Sequence, residues 1–208
     1  MRVINESLQE RIKREKASDR NTCVFFIAVL LVMLFIFFLN SSVYINIEVV
    51  GSSMNPTLYS NDYVVANTYK TSPNYGDVVI VAPQNRSVLQ NRWIIKRVIA
   101  KGGDTLRITG GKVYLKKAGS EDFSLLNEGY IKGITKVEGE DDFIVTVTKG
   151  YYFVMGDNRE NSSDSRVFGE FSKSELIGVV ENWAIKTKGI RKIIIKVIGK
   201  NNQSATGG

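Results

Sequence analysis

Gly51-Ser52-Ser53-Met54-Asn55-Pro56-Thr57-Leu58 sets serines in a short segment bounded by glycine and proline, within a chain of 208 residues that has no histidine. A serine on such a turn is a candidate nucleophile, and an attacking hydroxyl needs a group to take its proton. Without imidazole, another side chain must do so, and Ser-Lys pairs solve acyl transfer in this way. Lys96, within Trp93-Ile94-Ile95-Lys96-Arg97-Val98-Ile99, is the candidate base. In an extended run, residues two apart share a face, so Ile94 and Val98 flank Lys96 while Trp93, Ile95, Arg97 and Ile99 face the other way. A lysine so placed either snorkels at a sheet edge or is held out of water. In the second case its pKa falls from about 10.4 and the neutral amine becomes available.

Gly51 permits backbone conformations closed to other residues, and Pro56 biases Asn55 away from the α region. Together they can present Ser53 on a sharp turn whose amides converge on an oxyanion. Taken alone, Gly-Ser-Ser is also ordinary loop chemistry. A third block, Gly156-Asp157-Asn158-Arg159-Glu160-Asn161-Ser162-Ser163-Asp164-Ser165-Arg166, alternates Asp and Arg in a way that suits paired charges bracing an irregular backbone. A hydroxyl there could orient the lysine amine; a charged surface loop would have the same composition.

The elements that must position these blocks begin with an apolar run. Val24 to Leu39 is sixteen residues without a charged or polar side chain, and Cys23 extends it to seventeen. That reaches the lower limit for crossing a bilayer, roughly 17–25 residues. Phe37, Phe38 and Leu39 lead into Asn40-Ser41-Ser42 without the small residues of a cleavage site, which points to an uncleaved anchor over 23–42. Arg11, Lys13, Arg14, Lys16 and Arg20 precede the run, and after it no Lys or Arg occurs before Lys70. The expected topology is therefore a cytoplasmic segment over 1–22 and an extracytoplasmic remainder. The net charge of +7 is spread along the chain, so the expected acidic partner is the lipid bilayer, with no nucleic acid. Lys186 to Lys200 holds six basic residues around Ile193-Ile194-Ile195, a stretch that fits either anionic headgroups or a last, partly solvated strand. One cysteine permits no internal disulfide, and with no histidine a zinc site is excluded, so neither metal nor cofactor is expected.

Beyond the anchor the pattern is β. Runs rich in Val, Ile, Tyr and Phe cover Ile45–Val50, Tyr63–Ala66, Asp77–Ala82, Trp93–Ala100, Thr105–Thr109, Lys112–Leu115, Phe143–Thr148, Tyr151–Met155, Ile177–Thr187 and Ile190–Ile198. Gly110-Gly111 marks a hairpin, and Ser172 can cap a single helical turn toward Ile177. The predicted fold is mainly β: an antiparallel catalytic sheet domain from 43–104 and 150–200, a small β insertion over 105–149, and one preceding transmembrane helix. The acidic cluster Glu138-Gly139-Glu140-Asp141-Asp142 lacks calcium-ligand spacing and reads as a solvated loop. Residues 201–208 read as a disordered tail.

The three blocks, in this order and behind an anchor, resemble the type I signal peptidases of bacteria, membrane-anchored Ser-Lys serine proteases, over residues 24–183. The resemblance implies Ser53 as nucleophile and Lys96 as general base. It implies that Ser162 orients Lys96, that Asp157, Arg159, Asp164 and Arg166 brace the site, and that Ser53 supplies an oxyanion amide. Gly51 stands where some members carry a hydroxyl, so the oxyanion region of Gly51, Ser52 and Ser53 must use backbone or water there, as in the Gram-positive branch. Ala100-Lys101-Gly102-Gly103-Asp104 replaces the more usual Gly-Leu-Pro-Gly-Asp. Met54 and Pro56 would belong to the substrate-binding turn. The implied activity is removal of signal peptides from exported preproteins at the bacterial cell membrane, with small residues accepted before the cut. Two other classes fit less of the chain. A non-catalytic assembly factor for surface polymers could dispense with the dyad, and a self-cleaving repressor-type regulator would carry a DNA-binding helical domain instead of an anchor.

Overall fold

The computed structural model describes residues 2–84, 92–190 and 203–207. The chain divides into two compact units, Met1–Val43 and Tyr44–Gly208. The first is a single helix, α1 (Arg2–Val43). Its stretch Asp19–Phe38 is the one helical segment among the described residues long and apolar enough to cross a membrane, and none of it is buried. A helix with apolar residues on every side and no protein cover is built for a non-aqueous surround.

The second unit is mainly β. Its strands are β1 (Tyr44–Gly51), β2 (Tyr63–Asn67), β3 (Val78–Val81), β4 (Ile94–Lys101), β5 (Thr105–Thr109), β6 (Lys112–Lys116), β7 (Ser124–Leu125), β8 (Asp142–Thr146), β9 (Tyr151–Met155), β10 (Phe171–Ser172), β11 (Leu176–Val180) and β12 (Gln203–Gly207). The larger sheet runs β10-β9-β4-β12-β1-β2-β11-β3, and β3 also pairs with β4, so the sheet curls until it closes on itself. Its pairings are antiparallel except those of β12, which is parallel to both β1 and β4. The smaller sheet, β7-β6-β5-β8, is drawn wholly from Thr105 to Thr146, and Gly110 and Gly111, both at positive φ, turn β5 into β6.

Closure explains the continuous apolar strands. Val78 and Ile80 enter one core cluster with Ile47, Met54, Leu58 and Ile95, while Val79 and Val81 enter another with Ile94, Val98 and Val154. A strand covered on both faces has no polar side to alternate with. A third cluster joins the sheets through Ile99, Leu106, Val113, Phe153 and Met155. The β4–β9 register shifts between Val98 and Ala100, and this irregularity lets Ile99 and Ala100 both enter the third cluster.

Three expectations need correction. The run Ile177–Thr187 is not one strand: β11 ends at Val180, and α3 (Asn182–Lys186) follows. The Glu181 amide donates to the Val65 carbonyl, ending the ladder, and a helical turn then buries Ala184 while leaving Trp183 half-exposed. Ile190 is helical rather than the start of a strand, and the rest of Ile190–Ile198 lies outside the described residues. Gln203–Gly207, expected as a disordered tail, is strand β12, because β1 and β4 offer unpaired ladder groups on either side of it. The capped turn is present as Lys173–Glu175, where the Ser172 amide donates to Glu175 at 2.7 Å.

Candidate active site

Ser53 follows the end of β1 by two residues. Gly51 has φ 96°, a left-handed conformation that carries the chain out of the strand into the turn. The Asn55 amide then donates to the Ser52 carbonyl, and that of Leu58 to Met54. Met54 and Leu58 are buried in the first core cluster and anchor the turn from beneath. Met54 is thus spent on packing, whereas Pro56, behind a cis Asn55–Pro56 bond, is exposed. From the third block, the Asn158 amide donates to the Ser53 carbonyl at 2.9 Å and its side-chain amide to the Ser52 carbonyl at 3.2 Å.

Lys96 and Ser53 are both fully buried, and Lys96 Nζ stands 2.7 Å from Ser53 Oγ. At that separation an ammonium can donate to the hydroxyl, or the hydroxyl to a neutral amine. Burial lowers the Lys96 pKa from 10.5 to about 8. Asp164 and Asp157 oppose that shift and Arg166 supports it, and burial outweighs them.

The bracing residues form two linked clamps. Asp157 accepts from Arg97 Nε at 2.7 Å, from a second Arg97 nitrogen at 2.5 Å, and from the Thr57 hydroxyl at 2.5 Å. This ties the third block to the far end of the serine turn. The Arg97 guanidinium also lies 4.1 Å from the Tyr130 ring centroid. In the second clamp, Asp164 accepts from Ser162 Oγ at 2.7 Å, from the Gly156 amide at 2.9 Å and from Arg166 at 2.9 Å. Burial pushes the Asp164 carboxyl up, but Arg166, Gly156 and Ser162 outweigh it and hold it below the ordinary carboxylate value. Asp164 also caps a short helix, α2 (Ser165–Phe168), by accepting from the Arg166 amide. Ser162 donates to Asp164, which leaves its lone pairs as acceptors; a Cβ on Gly156 would come within 2.3 Å of its Oγ and 2.6 Å of the Ser53 carbonyl oxygen. Only a glycine allows that approach.

Arg159 Nε donates to the Gly156 carbonyl at 3.0 Å. It reaches Glu128 through both terminal nitrogens and Thr135 at 2.5 Å, both from the segment between β7 and β8. The smaller sheet's connections therefore support the site from outside the motif blocks. Arg97, Thr57, Glu128, Thr135 and Gly156 are the contributors that the motif reading assigned no role. Of these only Arg97 carried a local signal, as a second cation inside an apolar strand. The turn at Lys101–Asp104, without the usual proline, is held by the Asp104 carboxylate, which accepts from the Lys101 and Ala118 amides and the Tyr75 hydroxyl. Among the described residues no group of three or more acidic, His or Cys side chains is arranged to hold a metal.

Comparison with known proteins identifies the family. The chain is 29% identical to signal peptidase I P of Bacillus subtilis subsp. natto, over 81% of its own length and 91% of the relative's. It is 32% identical to signal peptidase I V of Bacillus subtilis, over 68% of its own length and 86% of that protein's. A crystal structure of a signal peptidase I from Enterococcus faecalis aligns at 26% identity with a TM-score of 0.40, covering 53% of this chain and 97% of that one. The family described as "Signal peptidase, peptidase S26" matches residues 20–184, more than three quarters of the chain and all three motif blocks, and the protein is accordingly a member of that family, a bacterial type I signal peptidase and serine protease.

Proposed function

We propose that the chain removes signal peptides from exported preproteins with Ser53 as nucleophile and Lys96 as general base, while α1 anchors it in the cell membrane with its N-terminus in the cytoplasm. The observation that carries the dyad is the 2.7 Å contact of two fully buried side chains, with the lysine pKa lowered toward neutrality by burial. Lys96 in its neutral form takes the Ser53 proton as Oγ bonds to the scissile carbonyl carbon. The resulting ammonium returns that proton to the leaving amine as the C–N bond breaks. Water, deprotonated by the same amine, then attacks the acyl-enzyme and regenerates the Ser53 hydroxyl.

The remaining residues position this pair. Asn158 fixes the Ser53 carbonyl by a hydrogen bond, Gly156 leaves room for it, and Asp164 holds the loop through Ser162 and the Gly156 amide. The charge pattern around 11–20, with no Lys or Arg between Val43 and Tyr69, supports the orientation. Because substrate and enzyme share one bilayer, their effective concentration is high and modest affinity suffices.

The test is cleavage of a full-length preprotein in liposomes by wild type, Ser53→Ala and Lys96→Ala. Cleavage after a small residue by wild type only, with all three proteins folded, is the expected result. Cleavage surviving in Lys96→Ala would refute the assigned base. Binding without cleavage by the wild type would instead favour the assembly-factor reading.

A further inference from the structure

The parallel strand β12 is out of place in an otherwise antiparallel sheet, and its position bears on the active site. It pairs with β1 from Ile47↔Gln203 through Gly51↔Gly207, and with β4 at Ile94↔Thr206. Its two neighbours are the strands that deliver the dyad: Ser53 lies two residues beyond Gly51, and Lys96 two residues beyond Ile94. Since β12 runs parallel to both, it enters from the end remote from the dyad and heads toward the gap between Ser53 and Lys96. A peptide lying on the acyl side of a bond that Ser53 attacks must have this direction.

The gap exists because, among the described residues, neither neighbour has another partner along the edge that faces β12. β1 bonds β2 along its other edge, β3 pairs with β4 over Ile94–Arg97, and β9 pairs with β4 only from Arg97 onward. Without β12, β1 and the start of β4 expose facing rows of ladder groups, a slot for one extended peptide. The segment that fills it is a poor strand former. Asn201-Asn202-Gln203-Ser204-Ala205-Thr206-Gly207-Gly208 holds one β-branched residue, two glycines and no large apolar side chain. Backbone bonding is what such a segment has to offer, helped by the high effective concentration of a tethered ligand.

We propose that Gln203–Gly207 is a built-in competitor for the substrate strand, holding the slot between β1 and β4 until a preprotein displaces it. This rests on the peptidase function proposed above and adds its regulation. The slot is thereby kept from open-edge aggregation and from adventitious peptides, and only a substrate with better side chains, or one presented in the same membrane, enters it.

The test compares the full chain, a variant ending at Lys200, and Ala205→Pro, which places a residue without an N–H in the middle of the strand. With a soluble fluorogenic peptide spanning a signal-peptide cleavage region, both variants should show lower KM at unchanged kcat. The drop is about tenfold if the segment fills the slot nine-tenths of the time. The octapeptide of residues 201–208, added to the shortened variant, should inhibit competitively. Hydrogen exchange at the β1 amides, followed in Ser53→Ala backgrounds so that no cleavage is needed, should quicken when the segment is removed and slow again when the octapeptide is added. Unchanged KM in both variants, or β1 protection independent of the segment, overturns the proposal. A fall in kcat and Tm on shortening also overturns it, by making β12 a permanent structural strand. Absence of cleavage by every form would count against the peptidase mechanism, while the exchange result would still decide whether the segment occupies the slot.

Discussion

Lys96 and Arg97 are neighbours on one strand, both buried, and they meet opposite electrostatic fates. Arg97 finds a carboxylate: Asp157, fully buried, takes two of its nitrogens, and Tyr130 covers its plane. Lys96 faces a hydroxyl at 2.7 Å, and the charges farther off partly cancel. Burial therefore dominates at Lys96 and favours the neutral amine, while at Arg97 the ion pair offsets the desolvation. Alternation along a strand is what allows this. One residue step sends the two side chains to opposite faces, where one meets the serine turn and the other the clamp. The lesson is that a buried cation is pushed toward its neutral form or held charged according to what faces it, not according to its depth.

The largest effect of substitution falls at the lysine. Lys96→Met should reduce preprotein cleavage at least about a hundredfold, since a general base alone contributes roughly 10²–10⁴. The same variant should unfold at higher denaturant, by up to about 3 kcal/mol at pH 7, because a charge held at pKa about 8 against 10.5 is no longer buried. The unfolded chain binds this proton more tightly, so the penalty is complete below pH about 8 and fades as pH rises toward 10.5. The stability gap between wild type and Lys96→Met should accordingly narrow across that window in urea titrations.

Arg97→Met should do the reverse. It leaves Asp157 buried with its charge unmatched, so unfolding experiments should show a loss of about 3–5 kcal/mol. Next in size is the pH profile: kcat/KM of the wild type should climb through pH about 8, and at pH 6 stand about a hundredfold below its plateau. A flat profile from pH 6 to 9 would remove Lys96 from the chemistry. The smallest effect sharpens the contrast. Arg107 and Asp142 make a two-bonded pair like that of Arg97 and Asp157, at 2.7 and 2.8 Å, but with side chains 41% and 44% exposed. Arg107→Met should leave both the unfolding midpoint and the activity unchanged within error, because water screens that pair.

Much of the site was legible beforehand because it is carried by short contiguous segments. A glycine that can turn, a proline that restrains and serines between them mark a candidate nucleophile turn, and Lys96 beside Arg97 in an otherwise apolar strand is a candidate base. The strands followed from period and composition, and their continuous apolar character from burial on both faces. The partners were another matter. Arg159 meets Glu128 and Thr135 from a polar stretch that by composition resembles any solvated loop. Thr57 reaches Asp157 a hundred residues away. Trp183-Ala184-Ile185 reads as strand because aromatic and branched residues favour it, yet Glu181 ends the ladder and a helical turn follows. Local propensity cannot register a neighbouring strand that has run out of bonding positions.

Residue types and their short-range spacing set the chemistry available and its order along the chain: a serine turn, a lysine in an apolar strand, an Asp/Arg-rich loop, and a helix fit for a membrane. These depend on residue type and on periods of a few residues, which need no knowledge of distant contacts. Tertiary structure decided what that chemistry can do. Closure of the sheet brings β1 and β4 to flank one slot, sets Ser53 Oγ against Lys96 Nζ, and lowers the amine pKa by removing water. It also gives Gln203–Gly207, a segment with little propensity of its own, a place between the facing edges of two strands. Burial and ladder bonding are properties of neighbours, and only the folded chain says which residues those neighbours are.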